Sequence, residues 1–207
     1  MVSFACVPGL NQAHGEDVAD RFESLLGAGG IDAKCFGVPW YSTASFVGDV
    51  VEFSADPIRH FFGSPQFRNQ ASTAVRRRLR ELVTNDPSVV VLAHSMGTPL
   101  AVLALRQLAA EGIPPPRTVF FGTPYGHPLH SAWLRALGFE RTPPRRILSF
   151  WNRDDAIVAL PGIDPVFPHW LDSVRVAVPN AAAAGQWEHD AEFYLTHPLV
   201  IEGLAKL

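Results

Sequence analysis

The chain has 207 residues, of which 47% are hydrophobic and 18% charged, with a formal net charge of -3. This balance predicts a single compact domain over residues 1–207, and it excludes a disordered chain and gives no reason to expect a nucleic-acid partner. No apolar stretch reaches the roughly 20 residues of a membrane span, so we expect no stable membrane insertion. The N-terminus lacks the basic segment of a signal peptide, which favours a cytoplasmic location.

The first part of the chain predicts a strand, a helix and a second strand. The apolar run "VSFACVPGL" opens it, and the stretch "EDVADRFESLLGAGG" follows with Val18, Phe22 and Leu26 at helical spacing. The run "DAKCFGVPWY" predicts a second strand that ends near Pro39. Residues 42–65 are rich in aromatic side chains, and their pattern favours no single element.

The remaining elements alternate in the same way. An amphipathic helix over "QFRNQASTAVRRRLRELVTND" precedes the buried strand "VVVLA" and an apolar helix that runs to about Glu111. Strands are then predicted at "RTVFFGTP", "RRILSFWN" and "SVRVAVP", followed by a helical pattern from about Asp190 to Leu207. This strict alternation predicts an α/β fold, a three-layer α/β/α sandwich with a mostly parallel sheet of about six strands.

One serine stands between the buried strand and the apolar helix. In "VVVLAHSMG", Ser95 is flanked two positions away by Ala93 and Gly97. A sharp strand-to-helix turn that exposes a nucleophile requires small residues at these two positions. The positive end of the following helix dipole also favours the negative charge that develops in acyl transfer. Ser95 is therefore the candidate nucleophile.

A serine hydroxyl needs a base to take its proton and a carboxylate to orient that base. The loop after the last strand returns to the carboxyl edge of the sheet, and His189 follows it just before a helix, so His189 is preferred over His197. The acid is expected after the strand "RRILSFWN", where Asp155 is preferred over Asp154. The resulting triad order is serine, aspartate, histidine.

The oxyanion formed during acyl transfer needs two backbone donors. The residue after the nucleophile, Met96, supplies one N–H group. The turn after the first strand supplies the other, because Gly9 permits a close approach and presents the N–H of Leu10. The spacing of His127 and His130 resembles a pair of metal ligands, but no further ligand set is nearby. We therefore expect neither a metal nor a cofactor.

These segments together resemble the α/β-hydrolase superfamily, and within it the small lipase- or esterase-like serine hydrolases. The resemblance rests on "VPGL", "VVVLAHSMG", "FFGTPYG", "NRDDAIV" and "EHDAEFY", which occur in the family's order along nearly the whole chain. Pro8 departs from the histidine usual at that turn. The insert at about 125–144 is too short for a full cap domain, so the resemblance implies a minimal lid, with Tyr125 and Leu129 as candidate wall residues.

The expected activity is hydrolysis of a carboxylic ester, from a small-molecule or lipid-like substrate, through an acyl-enzyme. Thioesterase, amidase and acyltransferase chemistry would use the same triad. A hydrolase-fold binding protein without turnover is a further alternative. Nucleotide binding is disfavoured because neither a Gly-x-Gly-x-x-Gly turn nor a Walker-type loop is present.

Overall fold

A computed structural model describes residues 1–9, 15–40, 65–138, 143–160, 162–176 and 189–207 of the chain. Its strands are β1 (Val2–Val7), β2 (Ala33–Gly37), β3 (Val90–His94), β4 (Thr118–Phe121), β5 (Ile147–Trp151) and β6 (Leu171–Arg175). These six parallel strands form one sheet, in the spatial order β2-β1-β3-β4-β5-β6. This confirms the predicted α/β fold with a parallel six-stranded sheet.

Helices cover both faces of the sheet and complete the predicted three layers. The helices are α1 (Gly15–Ala28), α2 (Pro65–Asn85), α3 (Gly97–Ala110), α4 (Pro128–Ala136), α5 (Ala191–Thr196) and α6 (Pro198–Ala205). Helices α2 and α3 pack on one face of the sheet, and α1, α5 and α6 pack on the other. Of the helices within the described ranges, none combines the length and apolar character needed to cross a membrane.

The core is divided between the two faces by the alternation of side chains along each strand. In β3, Val91 and Ala93 join the cluster that contains α2 and α3. Val90 and Leu92 join the cluster on the opposite face, with α1, α5 and α6. All four side chains are buried, which explains why this strand is apolar without interruption. The strand is central, so its carboxyl end opens onto the middle of the sheet edge.

Strict alternation of strands and helices does not hold between β5 and β6. The described part of this connection contains turns but no helix, which corrects the prediction. Its sequence explains the difference, since Pro165 and Pro168 lack the backbone N–H that a helix uses. Gly162 adopts a positive φ of 76° there, which also ends regular structure.

Two further boundaries differ from the prediction. Strand β6 covers Leu171–Arg175 and pairs with β5, so it begins two residues before the predicted strand "SVRVAVP", whose last three residues lie outside the described ranges. The C-terminal helical pattern is divided into α5 and α6, because Pro198 excludes helical geometry from the residue before it. His197 is accordingly extended, with φ -76° and ψ 128°, and its side chain accepts a hydrogen bond from the Leu199 N–H.

The predicted lid insert contributes little structure in its described part. A single 3-10 turn at Pro124–Gly126 precedes the two-turn helix α4. Tyr125 is fully buried and packs edge-on against Trp170, with ring centroids 5.1 Å apart. It therefore belongs to the buried core cluster that also contains α2 and α3. Leu129 is 68% exposed and lies on the surface of α4.

Candidate active site

The turn between β3 and α3 holds Ser95 in a strained conformation. Its φ is +50°, and it is the one residue other than glycine with a positive φ in the part of the chain that the structure describes. Such a conformation costs a residue with a side chain about 1–2 kcal/mol. The backbone N–H of Ser95 donates to the carbonyl of Phe121 at 3.1 Å, which connects the turn to β4. The geometry is that of the predicted strand–turn–helix.

The small residue at position 97 is required by the approach of two chain segments. A Cβ built on Gly97 would lie 2.6 Å from the carbonyl oxygens of both Val7 and Pro8. Backbone atoms at this distance cannot move aside as a flexible side chain would. Glycine therefore lets the start of α3 pack directly against the end of β1. This contact brings the turn after β1 next to Ser95.

Thr98 and Thr123 stabilise this turn through hydrogen bonds. The Thr98 N–H and hydroxyl donate to the carbonyl of Ser95, at 3.0 and 2.8 Å. Because the single hydroxyl hydrogen of Thr98 is used in this way, its oxygen accepts from Thr123 at 2.8 Å. Both threonines are fully buried. The Thr-Pro segment after β4 thus has a structural role in stabilising the strained serine.

Ser95, His189 and Asp155 form a continuous chain of hydrogen bonds. The Ser95 Oγ lies 2.6 Å from Nε2 of His189. Nδ1 of His189 lies 2.9 and 2.8 Å from the two carboxylate oxygens of Asp155. A carboxylate only accepts, so Nδ1 carries the hydrogen, and the neutral imidazole accepts from the serine hydroxyl through Nε2. Ser95 directly follows β3, Asp155 follows β5 in the next loop, and His189 directly precedes the N-cap of α5. The three predicted residues meet at the carboxyl edge of the sheet.

The structure distinguishes the two candidate aspartates by their burial. The side chain of Asp155 is fully buried, whereas Asp154 is exposed. Asp155 accepts two further hydrogen bonds, from the Ile157 N–H at 2.9 Å and the Tyr194 hydroxyl at 2.8 Å. Burial raises the pKa of Tyr194 well above its usual value, and the negative charge of Asp155 raises it further. Tyr194 is thus a donor at every physiological pH.

His94 is the second histidine at the site, and it contacts the backbone of the first. Its Nε2 lies 2.8 Å from the carbonyl oxygen of His189, and its ring stacks on Phe121 at 5.4 Å between centroids. Burial lowers the pKa of His94 well below its usual value, and repulsion between the protonated forms of His94 and His189 lowers it further. His94 is therefore a neutral imidazole, unable to serve as a second cation beside His189.

The predicted oxyanion donors are only partly within the described structure. Met96 is buried and directly precedes α3, whose first-turn N–H groups have no acceptor within the helix. Leu10 lies outside the described residues. Its neighbour Gly9 approaches Ser95 closely, since a Cβ built there would lie 2.8 Å from the Ser95 Cβ. Trp40 donates from its indole N–H to the Pro8 carbonyl at 2.8 Å, which holds this turn to the end of β2.

The chain is similar in sequence to one family of proteins. The profile of the family described as "Alpha/beta hydrolase of unknown function (DUF900)" matches residues 5–122, more than half of the chain. The chain belongs to this family. The matched region spans β1 to the end of β4 and includes the Ser95 turn, while Asp155 and His189 lie beyond it. No curated protein sequence matches the chain significantly.

Solved structures of the same fold are similar at low sequence identity. One is described as "RedJ with PEG molecule bound in the active site"; it is 14% identical, with a TM-score of 0.51, covering 99% of this chain and 91% of its own. Another is a RedJ thioesterase from the prodiginine biosynthetic pathway in Streptomyces coelicolor, 14% identical, with a TM-score of 0.48 and coverages of 99% and 89%. At 14% identity, the similarity to the first of these structures concerns the fold alone. The second structure adds nothing to this, because its TM-score is lower still.

His127 immediately precedes α4, and His130 lies in its first turn. The rings of His127 and His130 stack at 3.9 Å, and His127 Nδ1 accepts from the His130 N–H at 3.3 Å. His130 Nδ1 lies 3.3 Å from the Ile157 carbonyl. Within the described ranges, no group of three or more histidine, cysteine, aspartate or glutamate residues could hold a metal ion. The pair connects α4 to the loop that carries Asp155.

Three residues of this site were not singled out from the sequence. Tyr194, His94 and Thr123 each act through a hydrogen bond to a site residue or to the turn that holds one. Their sequence signal is weak, because a tyrosine five positions after His189 and a threonine after β4 are common in any helix or loop. His94 adjoins Ser95, but neighbouring side chains at a turn diverge, so adjacency alone indicated no role.

The close approach of Gly9 predicts a strong effect of one added methyl group. In Gly9→Ala the new Cβ would lie 2.8 Å from Ser95 Cβ and 3.0 Å from His94 Nδ1. Ser95 therefore has to shift. We expect a fall of about 100-fold in the rate of serine labelling by a fluorophosphonate, as a 1 Å misplacement would produce. Gly27→Ala in α1 is the matched control, because a Cβ there meets nothing within 4 Å. Equal labelling of the two variants would contradict the proposed contact.

Proposed function

We propose that this α/β-hydrolase is a serine hydrolase that cleaves a carboxylic ester through an acyl-enzyme intermediate. The observation that carries the proposal is the unbroken hydrogen-bonded chain from Ser95 Oγ through His189 to Asp155, with distances of 2.6 and 2.8 Å. Nucleophile, base and orienting acid are all within reach of one another, as such chemistry requires. A binding protein without turnover would have no need of this arrangement.

In the first step, Ser95 Oγ attacks the ester carbonyl carbon while its proton passes to Nε2 of His189. The carbonyl π electrons move to the oxygen and form a tetrahedral oxyanion. His189 becomes an imidazolium, whose Nδ1–H donates to the fully buried carboxylate of Asp155. The Ile157 N–H and the Tyr194 hydroxyl hold that carboxylate in place from its other sides. The negative charge therefore faces the developing positive charge in fixed geometry.

The second part of the reaction releases the two products. The backbone N–H groups of Met96 and Leu10 are assigned to the oxyanion, and the start of α3 adds its dipole. Collapse of the intermediate expels the alcohol, which takes the proton from His189 Nε2 and leaves the acyl group on Ser95. Water then repeats the sequence with His189 as base, releasing the carboxylic acid and restoring the serine.

The substrate is proposed to be a small-molecule or lipid-like ester. The experiment compares p-nitrophenyl butyrate with S-butyryl-N-acetylcysteamine, so that the acyl group is constant and the leaving group changes from a phenol to a thiol. We expect ester hydrolysis by the wild type that is lost in His189→Ala. Turnover of the thioester with none of the ester would replace the proposal with a thioesterase. No turnover of either by a folded protein would favour the binding-protein alternative.

A further inference from the structure

The ring of His94 contacts the backbone carbonyl of His189, the proposed catalytic base, rather than a ring nitrogen of His189. Nε2 of His94 lies 2.8 Å from the carbonyl oxygen of His189. A carbonyl oxygen only accepts, so the Nε2 hydrogen is present and donated. His94 is 3% exposed, and its ring is stacked on Phe121 with an interplanar angle of 26°. The donor therefore comes from a rigid, buried group.

This contact closes a ring of bonds that contains both reacting groups. His94 and Ser95 are joined by a peptide bond, and His94 donates to the His189 carbonyl. The His189 side chain returns to Ser95 Oγ at 2.6 Å. Both hydrogen bonds, one to the backbone of His189 and one to its ring, therefore connect His189 to the turn that carries Ser95. Asp155 orients the ring, but it does not locate the backbone that carries it.

Gly122 supplies the space that this arrangement needs. Its φ is +57°, and a Cβ built there would lie 3.1 Å from His189 Cε1 and 3.2 Å from His94 Nε2. The end of β4 therefore passes directly against both imidazoles. Their ring centroids lie 4.9 Å apart with an interplanar angle of 34°. A neutral His94 avoids repulsion with the imidazolium that His189 becomes during the proposed reaction.

We infer that His94 is a positioning residue, which sets the distance between His189 and Ser95 through its hydrogen bond to the His189 carbonyl. The inference deepens the proposed function and, for its kinetic part, rests on it. Ring packing alone is the competing explanation for a buried histidine at this place. The two explanations differ in whether the Nε2–H donor matters or only the volume of the side chain.

Two substitutions of similar length separate the donor from the volume. In His94→Gln, the side-chain amide can donate near the position of Nε2, whereas His94→Met has no donor. We expect His94→Met to lower kcat for p-nitrophenyl butyrate by about 10- to 100-fold with KM nearly unchanged, because misplacement affects the chemical step. His94→Gln is expected to retain most of the wild-type kcat. Melting temperatures of both variants are measured alongside.

A second readout does not depend on turnover. The His189 Nδ1–H donated to Asp155 is expected to give a slowly exchanging, far-downfield proton resonance, assigned by its absence in His189→Ala. We expect this resonance in the wild type and in His94→Gln, and its loss or broadening in His94→Met. If the wild type proves inert to esters and fluorophosphonates, the proposed function fails while this comparison still tests the positioning role.

The results that would overturn the inference are distinct. Equal kcat and an equal resonance in His94→Met and the wild type would show that the donor is unnecessary. Equal losses in His94→Gln and His94→Met, matched by equal falls in melting temperature, would indicate that only packing matters. Rescue by glutamine alone supports the positioning role.

Discussion

Replacing Ser95 with glycine is expected to abolish ester hydrolysis while leaving the protein more stable than its alanine counterpart. Both variants lack the hydroxyl, so kcat should fall by about 10⁶-fold in each, the loss typical of a removed catalytic nucleophile. They differ only in the backbone, because alanine keeps the cost of the +50° φ and glycine does not. We expect Ser95→Gly to exceed Ser95→Ala by about 1 kcal/mol in free energy of unfolding.

Denaturant unfolding of the two variants, followed by tryptophan fluorescence, measures this difference. Since neither can make the bond to His189 Nε2, the comparison isolates the strain at the turn. Equal stability of the two variants would mean that the serine backbone is relaxed in solution. Residual turnover above about one-thousandth of the wild type in either variant would indicate a different nucleophile.

Exchange of Asp155 for asparagine is expected to lower kcat by about 10⁴-fold, as loss of the correct histidine tautomer does in related chemistry. The Asp155 carboxylate accepts hydrogen bonds from the His189 Nδ1–H, the Ile157 N–H and the Tyr194 hydroxyl. An asparagine amide would present hydrogens to one of them. His189 would then accept at Nδ1 and carry its hydrogen on Nε2, where it cannot take the Ser95 proton.

Asp154→Asn is the matched control for this substitution. Its side chain is exposed, and its backbone N–H donates to the Asn152 side chain at 3.1 Å. We expect kcat within about threefold of the wild type, as for substitution of an exposed side chain. A large loss in Asp154→Asn together with an active Asp155→Asn would exchange the roles of the two aspartates.

The layered fold could be predicted because its signals are local. Uninterrupted apolar strands and amphipathic helices indicate a covered parallel sheet, and the carboxyl ends of parallel strands gather at one edge. That rule alone brings the residues after β3, β5 and β6 together, which is why Ser95, Asp155 and His189 could be named from their order along the chain. Their geometry agrees with that grouping, and their catalytic roles stay predictions.

The features that the sequence does not predict depend on contacts between segments that are distant along the chain. The helix expected between β5 and β6 is absent from the described part of that connection, where Pro165 and Pro168 outweigh the alternation rule. Tyr194 reaches Asp155 across 39 positions and His94 reaches the His189 backbone across 95. Neither bond leaves a periodic trace in the sequence, because each requires only one donor at one place in three dimensions.

The most direct test of the account is the intact mass of the protein after exposure to a fluorophosphonate, which reports an activated serine without knowledge of the substrate. We predict a single adduct on the wild type, none on Ser95→Ala, and very slow labelling of His189→Ala. Labelling is slow in His189→Ala because that variant lacks the base that lies 2.6 Å from Ser95 Oγ. A folded wild type that forms no adduct, or an adduct that persists in Ser95→Ala, would contradict the claim that Ser95 is the activated nucleophile.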